Sequence, residues 1–399
     1  MAELTIAVLM ISILSLTAFM QYLGQTDEAR RVACQRDFRL LREALRLYNE
    51  DHFQSPYPVN DASALYGRYL SAVPKDPWAQ EYVIDPFLGR LLSRGADGVL
   101  ETEVKGLVRA DGQPELPETS LVNDDLVETF DALGTIGCVV GAAARVFPMD
   151  EGGAPVDVRT GVDAFGLSPD REFAVAVVGG GLELLKNFFS KLETQSLGAA
   201  PATLADIAVS PDGTRYAAVT TDRKSIWIGA LDADRTKVVP FNLFAGSEQL
   251  SAPSWSKDQQ ELAIGTDRGE IWRIVVGAGA QKTVLTSDAT MDIVKNAPSW
   301  SSDGKRIAYA SRTAGAIGIV SPTGQRPRDD KANIKDVDVS SFAPGSLGPV
   351  AWSPNGLKIA FVTGGSLWIV APTRAKDWNL EVTKNSTSNL SGAHSLVWR

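Results

Sequence analysis

The sequence has few of the side chains on which most catalytic and metal sites depend. It contains two cysteines, Cys34 and Cys138, and two histidines, His52 and His394, among 399 residues. Two cysteines cannot form a disulfide framework or a cysteine-rich zinc site. Two histidines leave little material for a histidine-based metal centre or a Ser-His-Asp triad. The composition therefore disfavours most enzyme classes.

Positive charge is also in the minority. Lysine and arginine number 39 against 48 aspartates and glutamates, which gives a formal net charge of −9. Proteins that bind nucleic acid through its phosphates carry a basic patch or stripe. The acidic balance therefore argues against nucleic acid as a partner. The hydrophobic content of 44% is that of a globular protein. At about 150 residues per domain, the length suits two or three domains.

Charge is absent from one stretch near the start. Residues 4–20 form an uncharged run of 17 residues, the lower limit for a helix that crosses a membrane. A secretory signal would require a lysine or arginine before this run, and none is present. An apolar stripe then continues with the period of a helix. Its members are Cys34, Phe38, Leu41, Leu45 and Tyr48. The pattern predicts one long helix over residues 1–53, ended by the prolines that follow.

An ordered set of short motifs covers about the first 100 residues. The set comprises Glu3-Leu4, Ala44-Leu45, Tyr57-Pro58, Pro74-Lys75-Asp76-Pro77-Trp78 and Ser93-Arg94-Gly95-Ala96-Asp97-Gly98. With these motifs, residues 1–103 resemble the type IV pilin family, and within it the major pseudopilin of type II secretion systems. The resemblance implies an α+β domain with the long helix over 1–53 and a small globular part over 54–103.

The same resemblance implies roles for the first residues. In pilins a glutamate near the mature N-terminus neutralises the N-terminal amine of a neighbouring subunit, because a buried carboxylate needs a partner. This role falls to Glu3, and Met1 would be the processed, N-methylated first residue. Glu3 stands two residues earlier than the family's glutamate. An ordinary signal anchor remains an alternative interpretation.

A calcium site is a further implication. The corresponding loop of pseudopilins often holds Ca²⁺, which needs six to eight oxygen ligands around a tight turn. In residues 92–103 the candidate ligands are Ser93, Asp97, Glu101 and Glu103. The alternative is a metal-free turn with an acidic rim.

The rest of the chain has a different pattern. Residues 104–122 are polar, contain two prolines and predict a linker. Beyond them a Ser-x-Asp motif recurs, and each copy is followed by a short apolar run typical of a strand. Its acid or amide lies at Asp170, Asp212, Asp258, Asp303 and Asn355, with spacings of 42, 46, 45 and 52 residues. A period of 40 to 50 residues with several strands per repeat indicates a β-propeller.

These repeats resemble the TolB-type, WD-like propeller repeat, which implies an all-β propeller over residues 123–399. Trp398 lies 46 residues after Trp352, where another repeat would begin. Because a propeller must close to hide its edge strands, we expect the last strand to complete a sheet begun around residues 135–158. Six blades are expected, with seven as the alternative. The recurring aspartates are interpreted as turn residues, and His394 as a surface residue.

The sequence thus predicts a structural subunit of an extracellular type IV pilus-like filament. Its helices would form the core, and its propellers would be displayed for adhesion or ligand binding. The expected partners are other copies of the chain in a helical homopolymer, the inner-membrane pilus or type II secretion machinery, and the inner membrane before assembly. No catalytic residue and no cofactor other than calcium is expected. The alternatives are a pseudopilin of a periplasmic pseudopilus and a membrane-anchored propeller binding protein.

Overall fold

The chain divides into two compact units, Met1–Ala132 and Leu133–Arg399. A computed structural model describes residues 28–48, 60–85, 89–102, 104, 124–129, 134–149, 155–187, 191–231, 238–277, 280–313, 315–324, 336–341, 346–372, 379–381 and 389–399. Within these ranges, none of the helices combines the length and the apolar character needed to cross a membrane.

The first unit is built around a helix, α1, that is described over residues 28–48. Its apolar stripe is buried, because Cys34, Phe38, Leu41 and Leu45 are each at most 2% exposed. The opposite faces carry arginines and acids, as an amphipathic helix requires. The predicted helix over 1–53 extends beyond this part, and residues 1–27, with Met1 and Glu3, lie outside the described residues.

A small antiparallel sheet completes the first unit. Its strands, in the order β1-β2-β3, are β1 (Val83–Asp85), β2 (Arg90–Ser93) and β3 (Leu126–Thr129). A short 3-10 helix (Ser63–Leu65) precedes them. The stripe of α1 packs in one core with Leu65, Tyr82 and Leu91. Strand β3 follows the predicted linker, so the division between the units lies about ten residues beyond the predicted start of the propeller at 123.

In its described residues, the second unit contains six four-stranded antiparallel sheets. Sheet 1 contains β4 (Thr135–Val140), β5 (Ala143–Pro148) and β6 (Val156–Thr160) together with the last strand of the chain, β27 (His394–Trp398). The strands of sheet 2 are β7 (Val162–Leu167), β8 (Phe173–Val178), β9 (Gly181–Lys186) and β10 (Glu193–Ala199). The strands of sheet 3 are β11 (Leu204–Val209), β12 (Arg215–Thr220), β13 (Ser225–Leu231) and β14 (Val238–Ala245).

The remaining three sheets follow the chain in the same way. The strands of sheet 4 are β15 (Ser254–Trp255), β16 (Glu261–Gly265), β17 (Ile271–Val275) and β18 (Lys282–Thr286). The strands of sheet 5 are β19 (Ser299–Trp300), β20 (Ile307–Ala310), β21 (Ala316–Val320) and β22 (Val337–Asp338). The strands of sheet 6 are β23 (Leu347–Trp352), β24 (Ile359–Thr363), β25 (Ser366–Val370) and β26 (Asn379–Glu381). Successive four-stranded sheets of this kind are the architecture of a β-propeller.

Each turn between the first two strands of sheets 2 to 6 is held by the same side chains. The serine hydroxyl donates to the acid or amide two residues later, at 2.5–2.7 Å, in the pairs Ser168–Asp170, Ser210–Asp212, Ser256–Asp258, Ser301–Asp303 and Ser353–Asn355. The same hydroxyl accepts from the backbone N–H five residues later, on Phe173, Arg215, Glu261, Arg306 and Lys358. These bonds satisfy buried polar groups in a tight turn.

Neighbouring sheets are joined through tryptophans at the ends of the first strands. The backbone N–H of Trp300 donates to Ser254 Oγ at 2.8 Å, and the backbone N–H of Trp352 donates to Ser299 Oγ at 2.9 Å. Trp255 Nε1 donates to the carbonyl of Ala208 in the preceding sheet. Strand β27 pairs with β4, and its Trp398 lies opposite Ile136. First strands of successive sheets lie in contact, including β27 with both β7 and β23.

Candidate functional site

A pocket of about 370 Å³ lies where the first strands of sheets 2 and 3 begin, next to the start of β27. Asp163 on β7, Thr203 before β11 and His394 on β27 line it. The turns β8–β9 and β12–β13 complete the wall with Gly180 and Arg223. Gly180 has a φ of +80°, which glycine adopts without strain. Five chain segments therefore meet at one depression.

A buried carboxylate underlies this pocket. Asp206 is 2% exposed and follows a β-bulge in β11. It accepts from Arg223 Nη1 at 2.9 Å and from Ser395 Oγ at 2.6 Å, and His394 Nδ1 lies 3.4 Å away. Burial alone would raise the pKa of Asp206, but the hydrogen bond from His394 and the charge of Arg223 outweigh it and lower that pKa. Asp206 is therefore ionised at neutral pH.

The contacts with Asp206 fix the orientation of His394 and Arg223, which line the pocket. Because the Asp206 carboxylate can only accept, we assign the His394 proton to Nδ1, which leaves Nε2 as an acceptor when the ring is neutral. Arg223 is held from two sides, since Nη1 also donates to the carbonyl of Leu250 at 3.2 Å. Asp163 adds an exposed carboxylate. The pocket thus offers hydrogen-bond acceptors on a pre-oriented frame.

Serine, histidine and aspartate meet here, but their geometry differs from that of a hydrolytic triad. In a triad the aspartate contacts one ring nitrogen and the serine contacts the other. Here both Asp206 and Ser395 Oγ lie on the Nδ1 side, and Ser395 is 6% exposed and donates to the carboxylate. The serine is thus bound as a donor and is not activated as a nucleophile.

The sequence interpretation missed this site. His394 was expected at the surface, whereas it contacts Asp206, 188 residues earlier in the chain. Asp206 itself sits within an apolar run, where a buried acid signals a partner of opposite charge. Arg223 follows Asp206 by 17 residues within the same sheet, whereas His394 and Ser395 belong to sheet 1 and could not be connected with Asp206 from the sequence.

The predicted calcium ligands separate into three groups. Asp97 and Glu101 lie together with Asp124, with ligand atoms within 4.8 Å of one another. Ser93 Oγ instead donates to Asp76 Oδ2 at 2.6 Å. Glu103 lies outside the described residues. Asp124 was missed because it stands on the far side of the predicted linker.

The acidic cluster contains carboxylate oxygens that neither solvent nor a donor reaches. Both oxygens of Glu101 and Oδ1 of Asp124 and Asp125 are buried and accept no hydrogen bond. Burial, with the charges of Asp125 and Asp97 next, raises the pKa of Glu101. Gly95 is required nearby, since a Cβ at its position would lie 2.4 Å from the Asp124 carboxyl carbon. Oxygens in this arrangement suit a shared proton or a bound cation.

The two cysteines do not contribute to either site. Cys34 and Cys138 are free and buried. Burial raises the pKa of the Cys34 thiol to about 11 and that of Cys138 to about 12. Both thiols are therefore protonated at neutral pH and act as small core residues.

The family of the chain is identified by a match to its propeller region. The model of the family described as lipoprotein LpqB beta-propeller domain matches residues 193–399, about half of the chain. The chain therefore belongs to this family, and its second unit is a β-propeller. No curated protein matches the chain.

Solved structures with similar folds include TolB from Acinetobacter baumannii, at 19% identity and a TM-score of 0.46, with 67% of each chain covered. Another is the Kuenenia stuttgartiensis hydrazine synthase, at 14% identity and a TM-score of 0.41, covering 63% of this chain and 76% of that one. A third, from Agrobacterium tumefaciens, is described by reference to TolB. Its identity is 17% and its TM-score 0.45, with 63% of this chain and 89% of that one covered.

The predicted pilus role is wrong. The family assignment makes the chain a propeller protein of the LpqB type and not a subunit of a pilus-like filament or a pseudopilus. The pilin and pseudopilin assignment, the helical homopolymer and the pilus or secretion-machinery partners were inferred from the same resemblance and are wrong as well. The predicted transmembrane run, residues 4–20, lies outside the described residues. The motifs behind that prediction are short and sit in about a quarter of the chain, whereas the propeller repeats span most of it.

Proposed function

We propose that the chain is a partner-binding β-propeller protein without enzymatic activity, and that it binds at the pocket of Asp163, Arg223 and His394. The observation that carries this proposal is the buried Asp206 cluster. It holds Arg223 and His394 in fixed positions beside an open pocket while using no group as a nucleophile. Binding sites gain affinity when polar groups are held in place before the ligand arrives.

The chemistry of the wall favours a ligand that brings donors. The charge of Arg223 is matched by Asp206, at 2.9 Å, so Asp163 gives the pocket an excess negative charge. Thr203 and Thr221 hydroxyls bond to each other at 2.8 Å. We propose a segment of a partner polypeptide whose amide or ammonium groups donate to Asp163 and His394.

Site-specific photo-crosslinking in cells tests this proposal. A benzophenone amino acid replaces Asp163 or Thr203 in the full-length chain, and the matched control places it at Glu193 on the exposed outer strand β10. We expect a discrete adduct from the two pocket positions and none from Glu193. Adducts of equal yield from all three positions, or none from the pocket, would overturn the proposal.

The blade count is part of the proposal. The six sheets are six blades of one closed propeller, in which β27 completes the blade of β4, β5 and β6. The pairing of Trp398 with Ile136 and the contacts of β27 with β7 and β23 support this closure. Closure also explains how the edge of β4 is covered.

We further propose that the first unit binds Ca²⁺ through Asp97, Glu101 and Asp124. The buried oxygens of Glu101 without a donor favour this second activity. We expect 1 mM CaCl₂ to raise the melting temperature of the first unit's transition, as a ligand that binds only the folded state must. In Glu101→Gln the shift disappears, whereas in the control Glu43→Gln, on the exposed face of α1, it persists. An equal shift in all three proteins would contradict the site.

The family is named for a lipoprotein, which supports a location outside the cytoplasm. We propose this location for the propeller. Accessibility of the folded propeller to protease added to spheroplasts measures it, and protection until the membrane is lysed would argue against it.

A further inference from the structure

A second pocket, of about 440 Å³, lies between sheets 4 and 5, beside the serine-aspartate turns that follow their first strands. At the corresponding position sheets 3 and 5 each have an arginine. The residue five positions after the turn serine is an arginine in sheets 3 and 5, and in both sheets its side chain reaches the turn of the next sheet. In sheet 4 that residue is Glu261.

Both arginines make the same set of contacts. Arg215 lies 5.1 Å from the ring centre of Trp255 in the next sheet and donates to the carbonyl of Gln259 at 2.9 Å. Arg306 lies 4.7 Å from the ring centre of Trp352 and donates to the carbonyl of Gly356 at 3.1 Å. In each case a guanidinium is stacked on an indole and bonded to a turn carbonyl.

Arg306 also has an acidic neighbour in its own turn. Its Nη2 lies 3.3 Å from Asp303 Oδ2. Stacking, a carbonyl and a carboxylate together satisfy a guanidinium that burial would otherwise penalise.

The sheet 4–5 pocket keeps this environment but lacks the arginine. Trp300, Gly304 and Asp258 line it, and they correspond to Trp352, Gly356 and Asp303 in the next repeat. Trp300 is 8% exposed, and its Nε1 has no hydrogen-bond partner. Among the described residues, no arginine or lysine stacks on its ring.

Glu261 cannot replace the missing group. It is shorter than arginine and pairs within its own sheet, with Oε1 3.5 Å from Arg273 Nη1. Of the three carboxylates in the lining, Glu261 is paired with Arg273 and Asp303 with Arg306, so the carboxylate of Asp258 and the ammonium of Lys257 are the remaining charges. The open space, the Trp300 ring and the Asp258 carboxylate together therefore suit a cation.

We propose that this pocket binds a guanidinium group supplied by a ligand, either an arginine side chain of a partner polypeptide or a small guanidinium compound. The group stacks on Trp300, donates to the carbonyl of Gly304 and lies beside Asp258. The bound group thus occupies the place that the side chains of Arg215 and Arg306 occupy at the corresponding positions of the neighbouring sheets. The site is separate from the pocket at Asp163 and does not depend on it.

NMR titration of the full-length chain with ¹⁵N-labelled tryptophan tests this inference. The probes are ethylguanidinium, ethylammonium and the neutral analogue ethylurea, at constant ionic strength. The Trp300 indole signal is assigned by its loss in Trp300→Phe. We expect ethylguanidinium to shift this signal saturably and ethylurea to bind at least about tenfold more weakly, since a desolvated cation–π contact and its hydrogen bonds are worth at least that factor.

Two variants make the test sharp. Glu261→Arg supplies the side chain in cis and should weaken ethylguanidinium binding at least about tenfold. Arg215→Ala opens the corresponding place on Trp255 and should add a second saturable shift, on the Trp255 indole. If either variant is unstable, the other still decides the question. Binding that Glu261→Arg leaves unchanged, or an equal response to ethylurea, would overturn the inference.

The source of the group is decided by peptides. Acetyl-Gly-Arg-Gly-amide is compared with its citrulline counterpart and with ethylguanidinium. An arginine peptide that binds more tightly than ethylguanidinium supports a partner polypeptide, and equal affinity supports a small guanidinium compound. Equal binding of the arginine and citrulline peptides contradicts a guanidinium site of either kind.

Discussion

At the scale of single residues, Asp206 connects the stability of the propeller with its proposed function. One buried carboxylate accepts from Arg223 and Ser395 and contacts His394, so its removal leaves the partly buried guanidinium of Arg223 without its counter-charge. The sequence could not reveal this cluster, because two of its members, Asp206 and Arg223, belong to sheet 3 and the other two, His394 and Ser395, belong to sheet 1. It did reveal the turn aspartates, whose partners are only two residues away.

We expect Asp206→Asn to lower the free energy of unfolding of the second unit by about 3 kcal/mol, the cost of breaking a buried ion pair. Asp163→Asn, which changes an exposed carboxylate, should alter it by less than about 0.5 kcal/mol. Urea unfolding followed by tryptophan fluorescence measures both. Equal changes in the free energy of unfolding for the two substitutions would show that the ion pair of Asp206 does not stabilise the second unit.

The same cluster predicts a dependence on pH. The folded-state pKa of Asp206 is lowered below its unfolded value, because the contacts with His394 and Arg223 outweigh the effect of burial. Its contribution to stability is therefore fully present above the unfolded pKa of about 4 and is lost as the pH falls through the folded pKa. Below about pH 4 the wild type should lose stability more steeply than Asp206→Asn. Parallel curves for the two proteins would refute this account of Asp206.

At the scale of elements, the sequence revealed a repeat wherever the first two strands of a sheet and the turn between them are consecutive in the chain. Five turns carry a serine followed by an acid or amide, and each binds its own backbone in the same way. The corresponding position in sheet 1 is interrupted, because Trp398 and Arg399 belong to one end of the sequence and Thr135 to another. Here only the spacing from Trp352 to Trp398 indicated a further sheet.

Removal of residues 394–399 should abolish the cooperative unfolding transition of the second unit. The deletion uncovers the edge of β4 and removes Trp398, which is 3% exposed. A synthetic peptide of residues 390–399, added in trans, should restore the transition, and a peptide with Trp398→Ala should do so less well. Urea unfolding detects each result. A truncated protein that unfolds with unchanged cooperativity would contradict the role of β27.

At the scale of the whole molecule, long-range repetition was a better guide than local motifs. The period of the turns extends over most of residues 165–355 and leads to a propeller family. The pilin resemblance rested on an apolar run and short turns, which many chains can share, and the filament inferred from it was wrong. The two pockets could not be predicted from the sequence, because folding brings Asp163 and His394 to one pocket and, among the described residues, places no lysine or arginine on the Trp300 ring.

The central claim is that a partner binds at the Asp163 pocket. The direct measurement is the dissociation constant of the purified partner, identified by crosslinking, for the full-length wild type and three variants. Asp163→Asn removes the charge, Thr203→Trp fills the space, and Glu193→Gln changes an exposed charge on β10. We predict binding at least about tenfold weaker for Asp163→Asn, since a charged hydrogen bond contributes about 1.5–3 kcal/mol. Binding should weaken at least about as much for Thr203→Trp, because the indole fills the pocket, and should be unchanged for Glu193→Gln. Wild-type affinity in both pocket variants would contradict the claim.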